Sequence, residues 1–114
     1  MTYKEERPWG TFEVLYEEEG LKVKRIVVNP GMRLSLQSHR QREENWLVLQ
    51  GKALVVLDNK HIYLSPHQVV HIPRNARHRV QNSASENLVF IEVQQGSYLG
   101  EDDIVRYEDD FNRC

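Results

Sequence analysis

Gln37, His39 and Glu44 offer an amide oxygen, an imidazole nitrogen and a carboxylate within one stretch that opens on Pro30-Gly31 and closes on Gly51. That mixture of neutral and anionic donors suits a divalent cation, and a cation so held is a Lewis acid. Side chains alternate along a strand, so Gln37 and His39 project to one side. If the run from Trp46 begins the adjacent strand, Glu44 lies at its entrance, opposite His39. A second cluster, His67, Pro73, Asn75, His78 and Asn82, supplies what the first lacks. Pro73 and Asn75 favour a tight turn, which sets His78 at the start of a strand with its ring inward. Gln37, His39, Glu44 and His78 together make a four-ligand metal site.

The elements that must carry these donors are short strands. Residues 1–7 are charged and expected to be loose until Pro8-Trp-Gly10 turns the chain. Strand patterns follow over residues 11–16, 21–28, 46–50, 52–57, 61–64, 69–72, 78–81 and 88–93, separated by Gly, Pro, Asn and Asp turn signals. No segment keeps a helical period, and strands recurring at this spacing predict an all-β sandwich or barrel. In residues 21–28 alternation puts Lys22, Lys24, Ile26 and Val28 on one face and Leu21, Val23, Arg25 and Val27 on the other. A buried lysine is costly unless its face lines a polar pocket, so alternation leaves open which face is interior.

Length bounds the chain to a single domain spanning residues 1–114, with a flexible N-terminus over residues 1–6 and an acidic tail over residues 96–114 that is expected to pack on the barrel or a partner. The net charge of -2 gives no support to nucleic-acid binding. The middle of the chain is locally basic: residues 32–95 carry eight Lys or Arg against five Asp or Glu, whereas the tail carries six acids against two arginines. A basic middle is compatible with an anionic small molecule. Cys114, the single cysteine, can form no internal disulfide, and no leader or membrane-length apolar run is visible, so a cytoplasmic, membrane-free location is expected.

The two clusters resemble the cupin signature. Gly31, Gln37, His39, Glu44 and Gly51 fall at the spacing of its first block, with Gln37 where most cupins have histidine. Pro73, His78 and Asn82 fall at the spacing of its second block, where His67 and Asn75 replace the usual glycines. A wider set resembles the type II phosphomannose isomerase domain: Arg7-Pro-Trp-Gly10, Lys22-Val-Lys-Arg-Ile26, Leu34-Ser-Leu-Gln-Ser-His39, Ile72-Pro73, His78-Arg79, Ile91-Glu-Val-Gln94, and the tail from Gly96 to Arg106. In that family the domain often follows a mannose-1-phosphate guanylyltransferase on the same chain. These 114 residues show no such pattern, so no nucleotide-sugar synthesis is expected of them.

The resemblance implies a small cupin, a double-stranded β-helix or jelly-roll barrel. It implies an aldose-ketose isomerase that interconverts mannose 6-phosphate and fructose 6-phosphate through a metal-stabilised cis-enediolate. The ligands carry over as Gln37, His39, Glu44 and His78, around zinc ahead of Mn, Fe, Co or Ni. Metal-bound hydroxide and Lys24 are the alternatives for the base. Arg42, two residues before Glu44, suits the phosphate or enediolate, and with Lys24 it makes the catalytic pair. Lys24, Arg42 and Arg79 form the substrate-binding set, although simple alternation turns Arg79 away from the metal. Gln41 and Asn45 stand where the family commonly has histidines, which raises a non-catalytic sugar- or sugar-phosphate-binding cupin as the alternative. A metal-dependent oxygenase is the third reading, disfavoured by the single glutamine among the donors. His61, His67 and His71 are expected at the surface, residues 101–103 against arginines or across the barrel mouth, and the chain as a homodimer.

Overall fold

The computed structural model describes residues 3–111, so Cys114 and the first two residues of the expected flexible terminus lie outside the described residues. Eleven strands run in the order β1 (Tyr3–Arg7), β2 (Gly10–Glu18), β3 (Leu21–Val28), β4 (Leu36–His39), β5 (Arg42–Gln50), β6 (Ala53–Leu57), β7 (Lys60–Leu64), β8 (Val69–Ile72), β9 (His78–Gln81), β10 (Leu88–Gly96) and β11 (Ile104–Glu108). One 3-10 turn over Glu101–Asp103 precedes β11. Two antiparallel sheets face each other, ordered β1-β2-β3-β10-β5-β8 and β11-β4-β9-β6-β7. This is an all-β jelly-roll arrangement. Among the described residues no helix is long and apolar enough to cross a membrane.

The inward face of several strands changes character along its length. On β10, Leu88 and Phe90 are apolar and Glu92 and Gln94 polar; on β5, Arg42 and Glu44 are polar and Trp46 and Val48 apolar; on β3, Lys24 is followed by Ile26 and Val28. All eleven side chains are buried. The strand register groups the apolar side chains at one end and the polar ones at the other, with Glu92 opposite Trp46 at the boundary: Leu88 pairs with Val28, Phe90 with Ile26 and Val48, Glu92 with Lys24 and Trp46, and Gln94 with Glu44. One end of the barrel is therefore a hydrophobic plug built around Val28, Val48, Val55, Ile72, Val80, Leu88 and Phe90. The other end is polar and holds the site. This settles the question left by the β3 alternation, since the Lys24 face is the interior one.

Two features differ from the sequence expectation. From residue 3 onward, the charged N-terminal run is not loose: β1 pairs with β2 through five residue pairs, Tyr3↔Val14 to Arg7↔Gly10. Its alternating Tyr, Lys, Glu and Arg hid a strand that covers a sheet edge. The strand carrying Glu44 begins at Arg42 and is not the hydrogen-bonded neighbour of β4; β5 pairs with β10 and β8, and β4 with β11 and β9. The bend at residues 40 and 41 carries the chain from one sheet to the other, so Glu44 meets His39 across the barrel interior instead of along a ladder. The C-terminal tail adds a strand to the barrel. β11 pairs with β4, and the Asp103 carboxylate accepts the backbone N–H groups of Arg40 at 3.3 Å and Gln41 at 2.9 Å, clamping the sheet-to-sheet bend.

His67 and Asn75, which stand at cupin glycine positions, adopt left-handed backbone with φ of 73° and 68°. The turns have kept the glycine conformation with residues that pay steric strain for it.

Candidate metal centre

His39, Glu44 and His78 are buried, and one ligand atom of each lies within 4.8 Å of the others. β4 brings His39, β5 brings Glu44 and β9 brings His78. Gln37 is the cross-strand partner of His78 and therefore shares its face. Its amide nitrogen donates to Ser35 Oγ at 2.9 Å, which fixes the amide and leaves its oxygen as the donor. His78 Nδ1 bonds the Ala76 carbonyl at 3.0 Å, so that nitrogen carries the proton and Nε2 presents a lone pair.

Both imidazoles are neutral at ordinary pH. Burial lowers the His39 pKa to about 3, with the nearby Arg42 guanidinium adding to the effect. Burial likewise lowers His78, partly opposed by its bond to Ala76. Neutral imidazole is the metal-binding form, and the two rings lie 5.1 Å apart, centroid to centroid. Glu44 accepts Trp46 Nε1 at 2.9 Å through Oε1 and Arg42 Nε at 2.9 Å through Oε2. This set of two neutral nitrogens, a carboxylate and a fixed amide oxygen fits a divalent cation such as Zn²⁺. Arg42 reaches for the same atoms, since its Nη2 also donates to His39 Nε2 at 2.8 Å. Guanidinium and cation therefore compete for His39 and Glu44.

A cavity of about 370 Å³ opens beside these donors, within the size range of small-molecule sites. Gln37, Arg42 and Glu92 line both it and a smaller recess that reaches Glu44 and His78. Lys24 and Arg42, expected as the catalytic pair, both stand on the large cavity's wall. Lys24 Nζ donates to Glu101 Oε1 at 2.8 Å and sits 4.5 Å above the Phe12 ring. It is a paired cation, which does not suit the role of proton acceptor considered for it. For Arg42, burial is outweighed by the carboxylates of Glu44, Glu92 and Glu101, which raise its pKa.

Arg79 is not on the wall of the large cavity. Its Nε donates to the Leu34 carbonyl at 2.9 Å and its Nη1 to Glu108 at 3.0 Å. The side chain is a buried strut between β9 and the C-terminal segment, and it lines the smaller recess together with Glu44 and His78. His61, His67 and His71 are exposed, His71 beside Asn45 at 3.2 Å.

Two acids belong to the site that spacing alone did not single out. Glu92 faces the cavity from β10, and burial, reinforced by the Glu44 charge, raises its pKa to about 7. Gln94 Nε2 donates to its Oε2 at 2.7 Å. Glu101 reaches in from the 3-10 turn; burial pushes its pKa up, but Lys24 prevails and holds it below the usual value. The signal for Glu92 was present in the alternation of Phe90, Glu92 and Gln94 on one strand face. For Glu101 the signal was its place in the tail, which set residues 101–103 against arginines or across the barrel mouth without singling out which acid reaches in.

A buried His/Glu/His cluster at the polar end of a two-sheet jelly roll defines a cupin. Solved structures agree: a double-stranded β-helix protein from Klebsiella pneumoniae superposes with a TM-score of 0.74 at 21% identity, covering 84% of this chain and 82% of its own. A cupin 2 conserved barrel protein from Salinispora arenicola superposes with a TM-score of 0.67 at 23% identity, covering 75% of each chain.

Within that class the chain belongs to the family described as mannose-6-phosphate isomerase C-terminal, matched over residues 1–109. It is 46% identical over 94% of its length to the xanthan biosynthesis protein XanB of Xanthomonas campestris pv. campestris. It is 47% identical over 94% to the alginate biosynthesis protein AlgA of Pseudomonas aeruginosa, and 42% identical over 95% to a mannose-1-phosphate guanylyltransferase of Escherichia coli. The chain spans between 22% and 23% of the length of these relatives.

Proposed function

We propose that this cupin is a metal-dependent sugar-phosphate isomerase that interconverts mannose 6-phosphate and fructose 6-phosphate. The observation that supports it most is the conjunction of a neutral-imidazole, carboxylate and amide donor set with a cationic cavity large enough for one hexose phosphate. Gln37, His39, Glu44 and His78 would hold the cation. When bound there, it supplies the Lewis acidity that polarises a carbonyl and disperses enediolate charge.

The remaining steps fall to the chain's own groups. Transfer of a proton between C1 and C2 needs a base that is half-ionised near neutrality, and Glu92, on the cavity wall with a pKa of about 7, meets that need better than the ion-paired Lys24. Arg42, a permanent cation, turns from Glu44 toward developing negative charge on the substrate oxygens. Lys24 and Glu101 hold the wall of the cavity and keep an N–H donor facing the sugar. Trp46, edge-on to His78 with centroids 5.7 Å apart, shields the inner side of the donor set from water.

The contacts of Arg42 with His39 and Glu44 favour one second reading, a sugar-phosphate-binding cupin in which the guanidinium itself satisfies those donors. Two measurements separate them. Zinc-loaded protein should convert mannose 6-phosphate in a coupled assay for fructose 6-phosphate and lose this on chelation. Ligand-dependent stabilisation with no turnover for any added divalent metal would sink the isomerase reading and leave the binding module.

A further inference from the structure

The cavity has an unbalanced cation. Each basic group on its wall has a carboxylate except one: Lys24 has Glu101 at 2.8 Å, Arg42 has Glu44 at 2.9 Å, and Arg7 at the rim has Glu5 at 2.8 Å. Arg106 lines the same cavity with no ion pair recorded among the described residues, and its Nε is buried with no hydrogen-bond partner. A buried guanidinium N–H left unsatisfied is expensive, and such a group commonly waits for a ligand.

Its place in the fold says which part of the ligand that is. On β11, Arg106 lies opposite Gln37 of β4, and Ile104 lies opposite His39. Directly opposed residues of an antiparallel pair share a face, so the Arg106 side chain enters the barrel beside the proposed metal ligand Gln37, and it lines the same cavity as Arg7. We propose that Arg106 is the anchor of a phosphate-monoester subsite, with Arg7 closing it at the rim. A guanidinium binds a phosphate through two parallel N–H···O bonds, which a lysine cannot copy, and a monoester carries close to two negative charges at neutral pH. The subsite rests on the sugar-phosphate reading above and goes further by naming the residue that selects a phosphorylated sugar over a free one.

The probe is mannitol 6-phosphate, the reduced sugar phosphate that cannot isomerise, with mannitol as its unphosphorylated control, titrated calorimetrically into the zinc-loaded chain. Wild type should bind the phosphorylated probe and discriminate against mannitol. Arg106→Ala should weaken the phosphorylated probe by about 10-fold to 100-fold, the loss expected of a charge-assisted hydrogen-bond pair, and leave the mannitol response unchanged. Arg106→Lys should recover only part of the loss, and Arg7→Ala should lose less than Arg106→Ala. Arg106→Gln keeps the packing of the stem and serves where the alanine variant unfolds.

Binding of mannitol 6-phosphate by Arg106→Gln within about twofold of wild type overturns the subsite, as does a wild type that binds both probes equally. The two readings fail separately. Arg106-dependent binding without isomerisation removes the enzyme reading and keeps the subsite; full isomerisation with an unchanged KM in Arg106→Gln keeps the enzyme and removes the subsite.

Discussion

Glu92 makes the sharpest test of the site's electrostatics, because replacing one oxygen by an amide should stabilise the fold only at high pH. In the folded chain its carboxyl is held at about 7, against 4.5 for the free group, chiefly by burial and then by the Glu44 charge. Folded protein therefore binds the proton more tightly than unfolded protein. The sign follows: the contribution of Glu92 is most favourable below about pH 4.5, and it is lost as pH rises toward 7, where the charge must be carried in the barrel. A gap of this size corresponds to about 3 kcal/mol. Glu92→Gln removes the charge, keeps the volume, and keeps an oxygen to accept the Gln94 amide now donating at 2.7 Å.

Urea unfolding of both chains with a chelator present, from about pH 4 to about pH 8.5, should give equal stability at the acid end. Glu92→Gln should lead by about 3 kcal/mol at the alkaline end. Titrations common to both chains cancel in the difference. A difference that stays flat across the range, or one that favours the wild type as pH rises, would refute the reasoning. With zinc bound the curve should flatten, since a nearby dication favours the carboxylate.

Removing a metal ligand should show directly in metal content: His78→Ala and Gln37→Ala are each expected to lower zinc affinity by more than about 10-fold in a competition titration. Returning glycine to the two strained turns should stabilise the chain, His67→Gly by about 1 kcal/mol and Asn75→Gly by somewhat less, read as a rise in Tm. Asn82→Ala should cost about 2 to 3 kcal/mol in the same measurement. Its buried amide donates to the Val28 carbonyl at 2.9 Å and the Glu86 carbonyl at 2.8 Å and accepts the Ala84 N–H at 3.1 Å, tying β3 to the loop before β10.

Much of the barrel could be read from period-two patterns and turn residues, since Leu21–Val28, Val69–Ile72 and His78–Gln81 appear in the structure with the bounds that alternation suggests. Part of the donor set was legible for the same reason, since a strand fixes which side chains share a face and so groups Gln37 with His39; His78 came from the turn at Pro73 and Asn75 and from the resemblance. What alternation cannot say is which strands face each other. Glu44 was expected beside His39 along a ladder and meets it across the barrel, because the bend clamped by Asp103 changes sheets. The charged β1 escaped notice because edge strands carry Lys and Glu to blunt their exposed backbone, which makes them resemble disordered termini. The particular role of Glu101 escaped the pattern because it depends on a turn that folds back across 77 residues of chain to reach Lys24.

Among these groups Arg42 decides how the site works. Its guanidinium lies on His39 and Glu44, is 4% exposed, and keeps one buried Nη1 with no hydrogen-bond partner. A cation in such a position prevents two donors from being buried unsatisfied, which would otherwise cost several kcal/mol. It also means that a divalent ion must displace a cation that is already well placed. The compensation lies within reach, since Glu101 Oε2 is 3.9 Å from Arg42 Nη1 and Glu92 stands on the same wall. A guanidinium released from Glu44 would exchange one carboxylate for another and gain exposure to substrate oxygens. The two acids not signalled by motif spacing are thus what allows Arg42 to leave the donors and still remain paired.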